Sequence, residues 1–162
     1  MKTPLKSNKA ITIVLLFTLL ISCDNSTSTT FYLVRHAEKE MSKAGQEKND
    51  DPKLTKVGEQ RARKLAKLMK EKYVSVIYST AYQRNMKTVE PLAASKNLSI
   101  KNYEWHDWEP MLENIKKQKT NDNVVICGHG DNLLPMIDYL NGKRPQKKLG
   151  KREYDKIFKV EY

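Results

Sequence analysis

The sequence lacks several features that would assign it to common functional classes. Its three histidines, His36, His106 and His129, are separated by 70 and 23 residues, which matches no compact pattern of metal ligands. The net charge is +11, but the lysines lack the interleaved aromatic residues of a nucleic-acid stacking platform. There is no internal repeat, and the longest apolar run, residues 10–21, is too short to cross a bilayer comfortably. These absences disfavour a metal centre, a nucleic-acid partner and a membrane-spanning helix.

The first 22 residues differ in character from the rest of the chain. A start that contains three lysines precedes the apolar run, and Ser22 and Cys23 follow it. This is the arrangement of a secretory signal peptide. We therefore expect residues 1–22 to be a signal peptide, residues 23–30 a polar tether, and residues 31–162 one folded domain.

The end of the apolar run, Leu20-Ile21-Ser22-Cys23, resembles the lipobox of bacterial lipoproteins. The resemblance implies that Cys23 becomes the lipidated first residue of the mature protein. It also implies a lipid anchor in the membrane of the cell envelope, on its periplasmic or extracellular face. Lipidation of Cys23 would leave Cys127 alone, so that no intramolecular disulfide could form. Cys127 ends an apolar run and is expected to be a buried, unreactive residue.

Short apolar runs typical of strands alternate with longer segments of helical periodicity after residue 30. The strands are expected at residues 31–34, 74–78, 124–127 and 157–160, and the helices at residues 55–72, 82–95, 111–119 and 133–140. Thr55 is expected to cap the first helix, and Pro91 to shorten or kink the second. This alternation predicts an α/β fold, a three-layer α/β/α sandwich with a mostly parallel central sheet. Because residues 97–123 are so few, we expect little or no cap domain.

Reactive residue types follow three of the expected strands. Arg35 and His36 follow the first strand, Arg84 lies one turn into the helix after the second, and His129 follows the third between two glycines. The carboxyl ends of parallel strands meet at one edge of a sheet. We therefore expect two imidazoles and two guanidinium groups to converge on one crevice, where the guanidinium groups offer bidentate donors to phosphate oxygens.

Four segments in succession resemble motifs of the histidine phosphatase superfamily, which includes cofactor-dependent phosphoglycerate mutases and phosphohistidine phosphatases. They are FYLVRHAE at 31–38, with Ala37 at a position where glycine is usual, LTKVGEQRA at 54–62, YST with Arg84 and Thr88 at 78–88, and VICGH at 125–129. The resemblance implies that His36 attacks phosphorus and becomes phosphohistidine. It implies that Arg35, Arg84 and His129 bind the transferred phosphoryl group. It implies no metal and no cofactor.

The general acid that protonates the leaving group is less well defined. Glu104, Asp107, Glu109 and Asp131 are candidates, and the position of acidic residues in related mutases favours Glu109 or Asp107. His106 is expected to be a surface or packing residue.

The expected function is hydrolysis of a phosphorylated small molecule or phosphoprotein, including phosphohistidine. The short segment 97–123 predicts an open pocket, which favours dephosphorylation of exposed phosphoryl groups. A phosphoglycerate mutase-type phosphotransferase and a catalytically inactive phosphate-binding protein of the envelope are the alternatives. The sequence indicates neither the substrate nor the oligomeric state.

Overall fold

Five strands form one open sheet in the computed structural model, which describes residues 28–42, 49–118 and 120–162. The strands are β1 Thr30–Arg35, β2 Val76–Ser79, β3 Ile100–Asn102, β4 Asn123–Gly128 and β5 Ile157–Glu161. Their order across the sheet is β3-β2-β4-β1-β5. All neighbouring pairs are parallel except β1 and β5, which are antiparallel. The expected mostly parallel sheet is confirmed.

Helices cover both faces of this sheet. They are α1 Lys56–Leu68, α2 Gln83–Lys96, α3 Glu109–Gln118 and α4 Leu133–Tyr139. Alternate residues of β1 point to opposite faces, as strand geometry requires. Phe31 and Leu33 pack in one core cluster with residues of α3 and α4, while Tyr32 and Val34 pack in another with residues of α1 and α2. The three-layer sandwich is therefore confirmed, and α3 is the one helix between β3 and β4 in the described part of the chain.

Local sequence signals predict the start of α1 correctly but do not predict the length of α2. Thr55 caps α1 as expected, because its hydroxyl accepts a hydrogen bond of 3.1 Å from the Gly58 N–H. Pro91 does not shorten α2, which continues to Lys96. Val89 and Leu92 beside the proline are buried in the core, and this packing sustains the helix past the missing backbone donor.

The folded domain begins slightly before β1. Thr29 is buried and exchanges two backbone hydrogen bonds of 3.0 Å with Tyr162. The last two residues of the expected tether, Thr29 and Thr30, are thus part of the fold. The expected signal peptide and Cys23 lie outside the described residues. Among the described helices, none combines the length and hydrophobicity needed to span a bilayer.

Candidate active site

The carboxyl ends of β1 and β4 and the start of α2 meet at one pocket of about 420 Å³. Arg35, His36, Arg84 and His129 all line it. The ring centroids of the two histidines are 5.5 Å apart. The structure therefore brings together the four residues that sequence analysis placed at strand ends.

His36 is held as a neutral imidazole in one tautomer. Its Nδ1 lies 2.8 Å from the carbonyl oxygen of Ala37. Since a carbonyl can only accept, Nδ1 carries the proton, and the lone pair of the ring is on Nε2. Burial, together with the positive charges of Arg35 and Arg84, lowers the pKa of His36 to about 4. A neutral ring with a free Nε2 is the form that a nucleophile needs.

Thr88 connects the loop after β1 to α2. Its hydroxyl accepts a hydrogen bond of 2.8 Å from the Ala37 N–H and donates one of 2.6 Å to the carbonyl of Arg84. Ala37 also supplies the carbonyl that holds His36. The hydroxyl of Thr88 thus fixes the backbone that orients the nucleophile, and it ties that backbone to the helix carrying Arg84.

Helix α1 supports the same loop from the other side. Any Cβ at position 58 would lie 2.3 Å from the carbonyl oxygen of Glu38, so only glycine allows this close approach. The guanidinium group of Arg61 binds the Glu38 carboxylate, with Nε 2.8 Å from Oε2, and lowers the pKa of Glu38. The segment 54–62 therefore contributes to the site by holding the loop that bears His36.

Each arginine combines fixed contacts with a donor that has no partner in the part of the chain that the structure describes. Arg84 donates from Nη1 to the carbonyl of Asp50 at 3.1 Å, and its guanidinium carbon lies 4.3 Å from the Tyr82 ring centroid. Arg35 donates from Nη1 to the carbonyl of Gly150 at 2.9 Å. The Nε atoms of Arg35 and Arg84 are buried and have no hydrogen-bond partner within the described residues. Unsatisfied buried donors cost free energy, and an anion in the pocket could accept from them.

His129 is positioned by hydrogen bonds from neighbouring elements. Its backbone N–H donates to Asn132 Oδ1 at 2.8 Å, and its Nε2 lies 3.0 Å from the Thr80 hydroxyl. Burial and the nearby His36 and Arg84 lower its pKa to about 3. His129 is therefore neutral at physiological pH in the protein alone.

Trp105 is a pocket residue that sequence analysis did not single out. Its ring stacks on His129 with centroids 3.9 Å apart, and the exposed His106 stacks with Trp105 at 4.6 Å. Its Nε1 donates to Asp131 at 3.2 Å. Thr80 was likewise assigned no role, although its place directly after β2 was a usable signal. Trp105 lies in a segment without periodicity, so the sequence offered no comparable indication.

The four candidate acids occupy different places. Asp131 lines the pocket of His36. Glu104 and Asp107 line a neighbouring cavity of about 580 Å³ that shares Trp105 as a wall. Glu109 is exposed as the first residue of α3 and lines neither cavity.

Two other sequence expectations concern metal binding and the thiol. In the described ranges, no group of three or more His, Cys, Asp or Glu residues could hold a metal ion. Cys127 is fully buried, as expected, and burial raises the pKa of its thiol. Asn85 donates to the carbonyl of Gly128 at 3.1 Å and contacts the sulfur at 3.7 Å. The thiol is thus protonated and held within the core, which agrees with an inert residue.

Residues 31–107 match the family model of the histidine phosphatase superfamily, branch 1. The match covers 77 of the 162 residues, so this segment is similar to members of that superfamily. The matched segment contains Arg35, His36 and Arg84, and the fold adds His129 beyond it. No curated protein matches the chain by sequence.

Solved structures with the same fold include several phosphatases. The protein assigned as the phosphohistidine phosphatase SixA of Agrobacterium tumefaciens is 23% identical, with a TM-score of 0.57 over 70% of this chain and 77% of that one. The mycobacterial glucosyl-3-phosphoglycerate phosphatase is 13% identical, with a TM-score of 0.57 over 70% and 79% of the two chains. A phosphoserine phosphatase of Entamoeba histolytica is 19% identical, with a TM-score of 0.55 over 72% and 82%. At these identities the likeness establishes the shared fold.

Proposed function

We propose that this chain is a member of the histidine phosphatase superfamily, a phosphatase that hydrolyses phosphomonoesters or phosphohistidine through a covalent phosphohistidine on His36. The main support for this proposal is the tautomer of His36. Its Nδ1–H is held by the carbonyl of Ala37, so the Nε2 lone pair is available in a pocket that also contains Arg35 and Arg84. The phosphatases among the structures of similar fold support the same class of reaction.

In the first step, Nε2 of His36 forms a bond to phosphorus while the bond from phosphorus to the leaving group breaks. The leaving oxygen or nitrogen takes a proton from a general acid. The guanidinium groups of Arg35 and Arg84, with their unpartnered Nε–H donors, offset the charge on the phosphoryl oxygens. Phosphoryl transfer depends mainly on such positioning and charge stabilisation.

In the second step, water attacks phosphorus and the N–P bond breaks. This step releases inorganic phosphate and restores neutral His36. The proton lost by the water passes to the group that acted as the acid in the first step, so protons balance over the cycle. His129 contacts the same phosphoryl group from the carboxyl end of β4.

The proposal is tested by trapping the intermediate. Wild-type protein quenched during turnover of a ³²P-labelled aryl phosphate should hold the label in an acid-labile, base-stable bond. His36→Ala should lose both the label and turnover, because no other residue supplies the attacking imidazole. His106→Ala, a control outside the pocket lining, should keep the label. Full activity of His36→Ala would refute the mechanism.

Among the four candidate acids, the position of Asp131 in the pocket lining supports that residue as the proton donor. Asp131→Asn should slow hydrolysis of an alkyl phosphate, whose leaving group needs a proton, by about 10²–10⁴-fold. It should slow hydrolysis of nitrophenyl phosphate much less. Glu109→Gln is the matched comparison, and a larger effect of that variant would assign the role to Glu109.

We also propose that the domain is lipid-anchored through Cys23 at the cell envelope. The basic start, the apolar run and the sequence Leu20-Ile21-Ser22-Cys23 support this proposal. Cys23→Ser should leave an unlipidated precursor in a labelling experiment with a tritiated fatty acid. Cys127→Ala should still incorporate the label. Normal lipidation of Cys23→Ser would overturn the proposal.

A further inference from the structure

The pocket of His36 carries far more positive charge than a single phosphoryl group needs. Seven cationic side chains line it, and Asp131 is the one acid among its described lining residues. The cations are Arg35, Lys39, Arg84, Arg144, Lys147, Lys148 and Lys151. Both pocket histidines have lowered pKa values and add no charge at neutral pH. A phosphoryl dianion offsets only two of these charges.

Three of the lysines lie on one short segment, residues 147–151, that is fixed in place. Leu149 at its centre is buried in the core. The carbonyl of Gly150 accepts a hydrogen bond of 2.9 Å from Arg35. The segment is thus attached to the guanidinium group that binds the phosphoryl group, and it holds Lys147, Lys148 and Lys151 along the same wall of the pocket.

Among the residues that the structure describes, no salt bridge offsets the charges of these three lysines. Arg144 on the same wall forms a salt bridge with Asp138. Lys147, Lys148 and Lys151 form no salt bridge within the described residues. A lone surface lysine is ordinarily solvated and needs no explanation. Three that converge beside a phosphoryl site create a positive potential that favours an anion.

We infer that the substrate carries a second anionic group, a phosphate or a carboxylate, on its leaving group. This group lies against Lys147, Lys148 and Lys151 while the transferred phosphoryl group lies between Arg35 and Arg84. The inference rests on the proposed phosphatase function and specifies the substrate class. A pocket of about 420 Å³ has the volume of a small-molecule site. The substrate class is therefore a small phosphorylated anion.

An anionic membrane surface would be another partner for lysines, but the position of the segment argues against it. The pocket lies at the carboxyl end of β1, whereas the proposed lipid anchor precedes Thr30 at the opposite end of that strand. In the anchored protein the three lysines thus lie at the carboxyl end of β1, and the anchor precedes the opposite end of the same strand.

Two aryl phosphates of matched size test the inference, one with a carboxylate on the ring and one with a carboxamide. A ring with a second phosphate tests phosphate as the other form of the anion. Wild type should prefer either anionic substrate over the carboxamide by about tenfold in kcat/KM, and the preference should fall with added salt. The triple variant Lys147→Ala, Lys148→Ala, Lys151→Ala should lose it. The control triple variant Lys67→Ala, Lys101→Ala, Lys117→Ala, whose sites lie outside the pocket lining, should keep it.

The outcomes separate this inference from the proposed function. Equal kcat/KM for all three substrates, or a preference that survives the Lys147, Lys148 and Lys151 substitutions, overturns the inference and leaves the phosphatase intact. Absence of any turnover and of the His36 label counts against the phosphatase itself. Calorimetry with the corresponding phosphonates needs no turnover, so it tests the preference in either case. Binding of the same lysines to anionic phospholipid vesicles, without a preference among the phosphonates, assigns them to a membrane and overturns the inference.

Discussion

Replacement of Thr88 by valine isolates one hydroxyl that supports the nucleophile. Threonine and valine have nearly the same shape, so the substitution removes the hydroxyl with little change in packing. Thr88 is 3% exposed, and its hydroxyl is the acceptor for the Ala37 N–H. In Thr88→Val that N–H lies in the interior without this acceptor.

The expected loss of stability follows from this unsatisfied donor. A buried backbone N–H without a partner costs about 1–3 kcal/mol. The carbonyl of Arg84, which also receives the Thr88 hydroxyl, loses one of its donors but stays within the hydrogen-bonding pattern of α2. For a domain of this size, Tm should fall by about 3–12 °C. Differential scanning calorimetry of wild type and variant measures this shift.

The effect on activity should exceed what the stability loss explains. Ala37 both receives this support and holds Nδ1 of His36, so a shift of its backbone misaligns the Nε2 attack. A misplacement of about 1 Å can reduce rate by about 10²-fold. We expect kcat of Thr88→Val to fall by about 10–100-fold at a temperature where the variant is fully folded.

Thr88→Ser is the matched control because it keeps the hydroxyl and removes only a methyl group. It should lose about 1 kcal/mol of stability and retain kcat within a few-fold of wild type. If Thr88→Val has the kcat of Thr88→Ser, the hydroxyl does not position His36, and the argument from the Ala37 contacts is refuted.

Three further predictions test other parts of the site. Arg84→Ala should remove about 2–4 kcal/mol of transition-state stabilisation, measured as a fall in kcat/KM. It should also weaken inhibition by vanadate, and unchanged inhibition would show that Arg84 does not bind the phosphoryl group. Gly58→Ala should destabilise the protein in urea unfolding, since overpacking against Glu38 costs about 1–3 kcal/mol and the gain in helix propensity is at most about 1 kcal/mol; a more stable variant would contradict the close approach. The lowered pKa of His36 means that the unfolded chain binds a proton near pH 6.5 that the folded protein does not. The free energy of unfolding should therefore be highest above pH 6.5 and fall as the pH drops toward 4, and this fall should be smaller in His36→Asn.

Much of the site was predictable because its reactive residues come directly after buried strands in the sequence. The apolar runs before Arg35 and His129 predicted two strands. Because the carboxyl ends of parallel strands meet at one edge of a sheet, they also predicted that these residues lie at a common edge. An imidazole nucleophile needs an acceptor on its second ring nitrogen, and the carbonyl of Ala37, the next residue in the chain, supplies it at Nδ1 of His36. These inferences succeeded because they depend on residues adjacent in sequence to the strands.

Other features depend on contacts between residues distant in the chain. Trp105 stacks on His129 from a segment in which the sequence pattern predicted neither β3 nor the turn after it. The lysines of residues 147–151 reach the pocket because Arg35, over a hundred residues earlier, binds the carbonyl of Gly150. Neither contact leaves a periodic signal, so sequence patterns alone could not place them. Pro91 does not end α2 for a related reason. The helix is stabilised by packing against residues distant in the chain, which the local sequence pattern does not reveal.

Strand direction also relates the proposed anchor to the proposed substrate. From Thr30 to Arg35 the backbone of β1 covers about 17 Å, at about 3.3 Å per residue, and its far end opens into the pocket. Between Cys23 and Ser28, the first described residue, the chain can reach at most about 18 Å. The proposed lipid on Cys23 would therefore hold the start of β1 within reach of the bilayer, with the pocket at the other end of that strand. This orientation suits a small, soluble phosphorylated anion better than a phosphorylated lipid, because a lipid headgroup would have to reach the far edge of the sheet.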